Sequence, residues 1–292
     1  MSDRSEAAVA EAESHEGEPS EALTEEEVDS VDERRSGSAK VVHEVIRLQG
    51  DEELDRPLTS LLFSGFAAGV ALSVSILAEA YLQLRLPDAP WAELVSSIGY
   101  TVGYVIVILG GLQLFTENTV TAVLPLATNP SFRNLGRLGR LWTAVLFANL
   151  VGTLFVAVLI AREVFVDPEQ LEATLEVSRV VLSHDALKTL LLGMPAGFLV
   201  ASIAWILPNA RGNEFWVIVL IAYVIALGGF SHVVAGSGEA WLLWLSGEIG
   251  LSHAITGVIL PTLIGNIIGG TGLFAVLAHG QVRSEIEPEG DA

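Results

Sequence analysis

His232 is the one histidine of this chain that lies well inside a long apolar run, directly after Ser231. His15 and His43 stand outside such runs, and His184, His253 and His279 fall near their ends. Imidazole titrates near pH 6.5, at about the point where a side chain can both take and give a proton at neutral pH. The ordinary alternative is a packing histidine bonded to a neighbouring carbonyl. Ionisable groups are costly in a bilayer, however, and those that occur there mark solute or proton pathways. A second polar break interrupts another apolar run at Thr116-Glu117-Asn118-Thr119 and offers hydroxyls, a carboxylate and an amide. Glu117 reads equally as a working carboxylate or as a cap on the half-helix that follows it. The chain has no cysteine, no HExxH, no phosphate-binding glycine loop and no GxSxG. No enzymatic activity, metal, cofactor or nucleic-acid partner is therefore expected.

Positioning these groups requires elements that cross a bilayer. The 292 residues are 51% hydrophobic with a mean hydropathy of +0.53. The apolar residues gather into six windows of about the 20-residue length a crossing helix needs. These are Leu58–Leu84, Leu94–Leu126, Leu138–Ile160, Leu187–Leu207, Phe215–Val234 and Ile255–Leu277. Windows two and five are irregular. The second is too long for one straight span and contains the break at Leu114–Thr119. The fifth runs into Phe230-Ser231-His232, then Gly236 and Gly238, then a short apolar piece at Trp241–Leu245. Glu79, in the last turns of the first window, reads as snorkelling toward the interface.

Two features recur at nearly one offset. Gly110-Gly111 is matched by Gly228-Gly229, 118 residues on, and Asn149-Leu-Val-Gly152 by Asn266-Ile-Ile-Gly269, 117 residues on. With three windows per half, the second half must enter the membrane from the opposite side. The expected architecture is an all-α integral membrane protein of six transmembrane helices, an inverted 3+3 repeat with broken helices two and five meeting at the midplane. Non-helical backbone at that depth is tolerated where it is buried in protein or lines a watery cavity. Asn149 and Asn266, each three residues before a glycine, are expected to bond between helices.

Four segments follow from charge. Residues 1–56 hold 18 of the 35 acids but 6 of the 15 basic residues. The first 38 are too polar to bury a core and are expected to be a disordered acidic tail. They contain no apolar stretch of the kind a cleavable signal peptide needs. Residues 39–56 form a cytoplasmic amphipathic segment, with Val41, Val45, Ile46 and Leu48 near one stripe of a helix from Val41 to Leu54. The transmembrane domain spans 57–280, and 281–292 is a cytoplasmic tail. Lys40, Arg47, Arg56, Arg133, Arg137, Arg140, Arg211 and Arg283 fall on one side, against Arg85, Arg162 and Arg179 on the other. That bias places both termini in the cytoplasm of a cell-membrane protein.

At Leu114–Pro125 (LFTENTVTAVLP), Gly228–Gly236 (GGFSHVVAG) and Leu260–Gly270 (LPTLIGNIIGG) the chain resembles the formate/nitrite transporter family, nearest its YfdC-like branch. The resemblance covers about residues 41–284. It implies an aquaporin-like protomer with inverted halves, a homopentamer, and a pore in each protomer for small monovalent anions such as formate or nitrite, often moved with a proton. By that resemblance Thr116 and His232 are the central pair, with Glu117, Asn118 and Ser231 beside the pathway. The constrictions fall on Leu114, Phe115, Tyr100, Tyr104, Val200 and Ile225, the two tyrosines making the slits more polar than usual. The chain departs from the family at three points. Ser231 replaces a glutamate before the histidine, Val181 stands near the position of a vestibule lysine, and Glu117 replaces a small polar residue. A proton-linked anion channel is the leading reading. A neutral-solute or cation-tolerant pore, favoured by Glu117, and a non-conducting membrane scaffold are the alternatives.

Overall fold

A computed structural model describes residues 37–286, and among these there is no strand. The expected disordered tail over 1–38 lies almost wholly outside the described residues, as does the end of the 281–292 tail. Helix α1 (Ala39–Asp55) begins on Ser38, whose hydroxyl accepts from the Val41 N–H. Its buried stripe is Val42, His43, Ile46, Gly50 and Leu54. Val41 and Leu48, expected on that stripe, are about half exposed instead, because the helix is rotated to seat Gly50 against the backbone of Thr121.

Among the described residues, five helices are long and apolar enough to cross a membrane. They are α2 (Leu58–Gln83), the stretch Ala92–Leu109, α6 (Phe132–Ala161), α8 (Ala186–Ala210) and α11 (Leu251–Ser284). The second of these consists of α3 (Ala92–Ser96), a turn, and α4 (Thr101–Leu109). Short α5 (Leu124–Thr128) follows the first break, and α7 (Pro168–Ser178) opens with a capping box built by Asp167 and Gln170. Two shorter apolar helices, α9 (Glu214–Leu227) and α10 (Val233–Leu245), flank the second break. Helix α11 carries two π-helical stretches, Ala254–Ile259 and Ile268–Ala275.

Both breaks differ in detail from the expectation. The first opens at Gly110, before Leu114, because Gly111 takes φ +60 and turns the chain out of α4. The second is shorter than expected. Gly236 and Gly238 lie inside α10, which runs without interruption through Trp241–Leu245. Gly238 is there for closeness, since a Cβ would stand 3.0 Å from Ile76 on α2. The two breaks nonetheless start alike, with Gly229 at φ +58.

Lipid offers no hydrophobic drive between helices, so small residues and polar groups must hold the bundle together. On α2, Gly69 faces Asn149 and Gly152 of α6 so closely that any Cβ would strike the Asn149 carbonyl. On α8, Gly197 meets the Asn266 carbonyl of α11 in the same way, and Gly269 meets the Met194 carbonyl. These contacts expose a third repeat, Gly65-Phe-Ala-Ala-Gly69 against Gly193-Met-Pro-Ala-Gly197. It was hidden in the sequence because its offset is 128, not 118. Gly197 precedes Gly228 by 31 residues whereas Gly69 precedes Gly110 by 41, because the connection between α8 and α9 is shorter than that between α2 and α4, which holds α3.

Candidate functional site

Each break exposes backbone groups that a helix would have satisfied, and one asparagine per half satisfies them. The Asn149 Oδ1 accepts from the Phe115 N–H at 3.0 Å, and its Nδ2 donates to the Gly65 and Gln113 carbonyls at 2.8 and 2.9 Å. The Asn266 Oδ1 accepts from the Val233 N–H at 2.9 Å, and its Nδ2 donates to the Gly193 and Ser231 carbonyls, each at 2.9 Å. Both asparagines are fully buried. The same three bonds are thus made twice, by side chains 117 positions apart.

Pinned in this way, the breaks meet. The Thr116 hydroxyl lies 2.7 Å from His232 Nε2, and both residues are buried. His232 is also the N-cap of α10, where its Nδ1 accepts from the Ala235 N–H at 3.3 Å. With Nδ1 an acceptor, a neutral ring carries its proton on Nε2 and donates it to Thr116. The hydrogen of the Thr116 hydroxyl then remains to be offered elsewhere. Protonating Nδ1 would break the cap.

A cavity of about 900 Å³ reaches His232 and Ser231 from the C-terminal end of α2. Tyr100 and Ile225 also line it, whereas Thr116, Leu114, Phe115, Tyr104 and Val200 do not. Tyr104 is nonetheless close, with its ring centroid 5.2 Å from the His232 ring in an edge-on arrangement. Its hydroxyl is 3.1 Å from that of Tyr100. Leu114, Phe115 and Val200 are each 1% exposed, and Phe115 packs edge-on against Trp142. Asn118 is turned into the protein, where it bonds Gln113 at 3.1 Å and Thr121 at 3.2 Å. Its carbonyl accepts from the Trp142 indole. Glu117 is half-buried and does not cap the turn it begins.

Two acids take places that the residue-by-residue reading did not give them. Glu79 faces the cavity instead of snorkelling outward, and Glu239, on α10 two turns after His232, joins it there. Asp88, Glu93 and Glu176 complete the acidic lining, which contains no lysine or arginine. Lys188 is exposed outside it. Glu239 is legible in hindsight as the carboxylate between the fifth apolar window and the apolar piece at Trp241–Leu245, but nothing in the local sequence shows that α10 turns it toward Glu79.

Residues 40–280 match the formate/nitrite transporter family. The chain is 38% identical over 257 residues to the inner membrane protein YfdC of Escherichia coli (strain K12), covering 88% of this chain and 83% of that one. It is 30% identical over 250 residues to the uncharacterized transporter YrhG of Bacillus subtilis (strain 168), covering 82% and 92%. The backbone is similar to that of a pentameric formate channel with formate bound, with a TM-score of 0.67, 22% identity, and coverage of 78% of this chain and 98% of that chain. The duplicated asparagine pins and glycine contacts therefore sit in a fold shared with solved channels, and the chain belongs to the formate/nitrite transporter family.

Proposed function

We propose that this protein is a homopentameric channel or transporter that moves a small monovalent acid, of the formate or nitrite kind, past Thr116 and His232. The observation that carries this reading is the 2.7 Å contact between Thr116 and His232, made across two helix breaks that the chain builds in duplicate. Its support is membership in the family and the similarity in fold to a pentameric formate channel.

Parity supports a sixth crossing. The His43 imidazole on α1 lies 3.1 Å from that of His279 near the end of α11, so the chain returns to the end of the bundle where it began. An even number of crossings is then required. Five long helices supply an odd number, and α9 with α10 make the sixth, broken at Phe230-Ser231-His232. The first break, at Gly110–Thr119, is its partner in an inverted repeat.

The chemistry follows from the hydrogen bonds. An anion reaching the junction meets the Thr116 hydroxyl, polarised by the Nε2–H of His232. For the solute to gain a proton, the ring gives up the Nε2 proton through the Thr116 hydroxyl and takes one at Nδ1, releasing Ala235. The neutral acid then crosses the tyrosine and leucine slits with less desolvation cost than the anion. Ser231 stands at the cavity side of this step. Asn118 holds the first break in shape, and Glu117 sets the charge beside it.

The test is His232→Asn. Asparagine is a good N-cap, so α10 keeps its start while the proton-exchanging ring is lost. Uptake coupled to protons in proteoliposomes should disappear. Unchanged flux with an unchanged pH profile rules out the relay. A neutral-solute or cation-tolerant pore is favoured by one observation, the carboxylate lining of the cavity. Ammonium or glycerol flux exceeding formate flux in a stopped-flow panel would establish it.

A further inference from the structure

Helix α6 is longer than a bilayer requires. Its 30 residues rise about 45 Å, against about 30 Å of hydrocarbon. Phe147, Val151, Phe155 and Val158 recur at helical spacing and form one exposed apolar stripe along it. From Arg140 to Val158 the helix rises about 27 Å, close to the hydrocarbon thickness. With the stripe in hydrocarbon, the turns from Phe132 to Arg140 stand at the level of the lipid headgroups.

Those turns carry a basic pocket. Arg133, Arg137 and Arg140 stand at i, i+4 and i+7, on one side of the helix. With Gly136, and with Leu54 and Asp55 at the end of α1, they line a cavity of about 440 Å³. Three guanidiniums thus share one lining carboxylate. Arg137 holds it, with Nη2 2.6 Å from Asp55. Arg140 donates to two uncharged backbone carbonyls, Leu54 at 2.7 Å and Arg56 at 3.0 Å. The Arg133 guanidinium is exposed and makes no hydrogen bond or ion pair among the described residues. Gly136 leaves the pocket floor open, since a Cβ there would meet no atom within 4 Å. Two positive charges are left without a counter-charge, on a chain whose formal net charge is −20.

The surroundings are apolar. Phe132 and Leu135, beside the arginines, are 94% and 53% exposed. Guanidinium groups suit phosphate oxygens, which accept from their N–H groups in pairs. Basic pockets beside membrane-crossing helices attract anionic headgroups. A free anion would leave Phe132, Leu135 and the stripe above them bare. An amphiphile with an anionic head covers both parts.

We infer that Arg133 and Arg140 bind the phosphate of an anionic phospholipid whose acyl chains lie along the exposed stripe of α6. Because Arg140 also donates to α1, the bound headgroup fastens the end of that helix at the membrane surface. The site is separate from Thr116 and His232 and stands whether or not the transport reading holds.

The test releases the full-length protein from nanodiscs holding equal amounts of phosphatidylglycerol and phosphatidylcholine, and counts the retained lipids by native mass spectrometry. Wild type should favour phosphatidylglycerol by about tenfold or more. Arg133→Gln should cut that preference about fivefold, and Arg133→Gln with Arg140→Gln should abolish it. Gly136→Glu places a carboxylate in the pocket without a clash and should abolish it too. Arg133→Gln and Gly136→Glu leave the contacts of α1 in place, so they decide the matter if the double variant misfolds. Equal retention of the two lipids by wild type overturns the inference, as does an undiminished preference in both of those variants. Inorganic phosphate that displaces the retained phosphatidylglycerol overturns it in favour of a free-anion site. A changed number of chains with unchanged lipid overturns it in favour of a contact between copies.

Discussion

At the scale of single residues, Asn149 and Asn266 do more for the architecture than any titratable group. Each satisfies one N–H and one carbonyl that a broken helix leaves open, in a medium with no water to replace them, and ties them to a carbonyl of the unbroken neighbour α2 or α8. Replacing Asn266 by leucine keeps much of the volume, orphans the Val233 N–H and the Ser231 carbonyl, and unties both from α8. The expected cost is about 1–3 kcal/mol for each group left unpaired and not relaxed. Thermal unfolding of the detergent-purified protein should show a clear loss, and the Thr116–His232 contact should loosen with it. An unchanged melting profile would mean that other partners take over the pins. The Thr116–His232 contact therefore depends on an amide bonded to backbone on every side.

At the scale of elements, α1 is a strap over the first break. Gly50 rests on the Thr121 carbonyl, Glu53 accepts from the Gln113 amide at 2.7 Å, and Arg137 and Arg140 of α6 hold its C-terminal end. Its N-terminal end is held by His43, which is buried against His279 of α11 and the edge of Trp205 of α8. Burial pushes His43 below the ordinary histidine value of 6.5. The neighbouring His279 adds to this and then, among its own helix neighbours, Glu44 opposes and Arg47 assists. The released helix therefore binds a proton more readily than the docked one. Docking is at full strength above pH 6.5 and weakens as the pH falls through it. Hydrogen exchange of residues 39–55, corrected for intrinsic rates, should rise between about pH 7.5 and about pH 5.5. His43→Asn should flatten that dependence. Equal protection at both pH values would show that the imidazole pair does not control the strap.

At the scale of the whole molecule, the contact of α1 with the end of α11 fixes the relation between the two ends of the described chain. Because the chain contains no cysteine, single reporters are clean. Ser38→Cys and Gln281→Cys should both react with a membrane-impermeant maleimide from the cytoplasmic face and be protected from the periplasmic or outer face. Native mass measurement of the same preparations should give five chains. Opposite labelling of the two sites would contradict six crossings, and any other stoichiometry would contradict the pentamer. The loops after α7 and α10 are held to each other by ordinary surface pairing. Arg179 bonds both Glu248 and Glu172, which draws Glu248 below the usual carboxylate range.

Much of this protein is legible in its amino acids because lipid constrains them so severely. Long apolar runs can only be helices, and a polar interruption inside one has to be buried or wet. The glycine pairs and the Asn-x-x-Gly pairs announced a duplication because backbone turning and backbone contact admit few other residues. Side-chain direction in three dimensions was not legible. Whether Glu79 snorkels or faces a cavity depends on which way α2 is rotated, and hydropathy does not carry that information. The buried stripe of α1 was misjudged for the same reason, since Gly50, with no side chain to signal it, decides the rotation. Gly236 and Gly238 read as breaks because glycine lowers helix propensity, yet both are helical, and Gly238 packs against Ile76 and Ser73 of α2. Only the tertiary structure could set a threonine beside an imidazole 116 residues away, because that contact is the sum of two helix ends, two asparagine pins and the close glycine packing that brings them together.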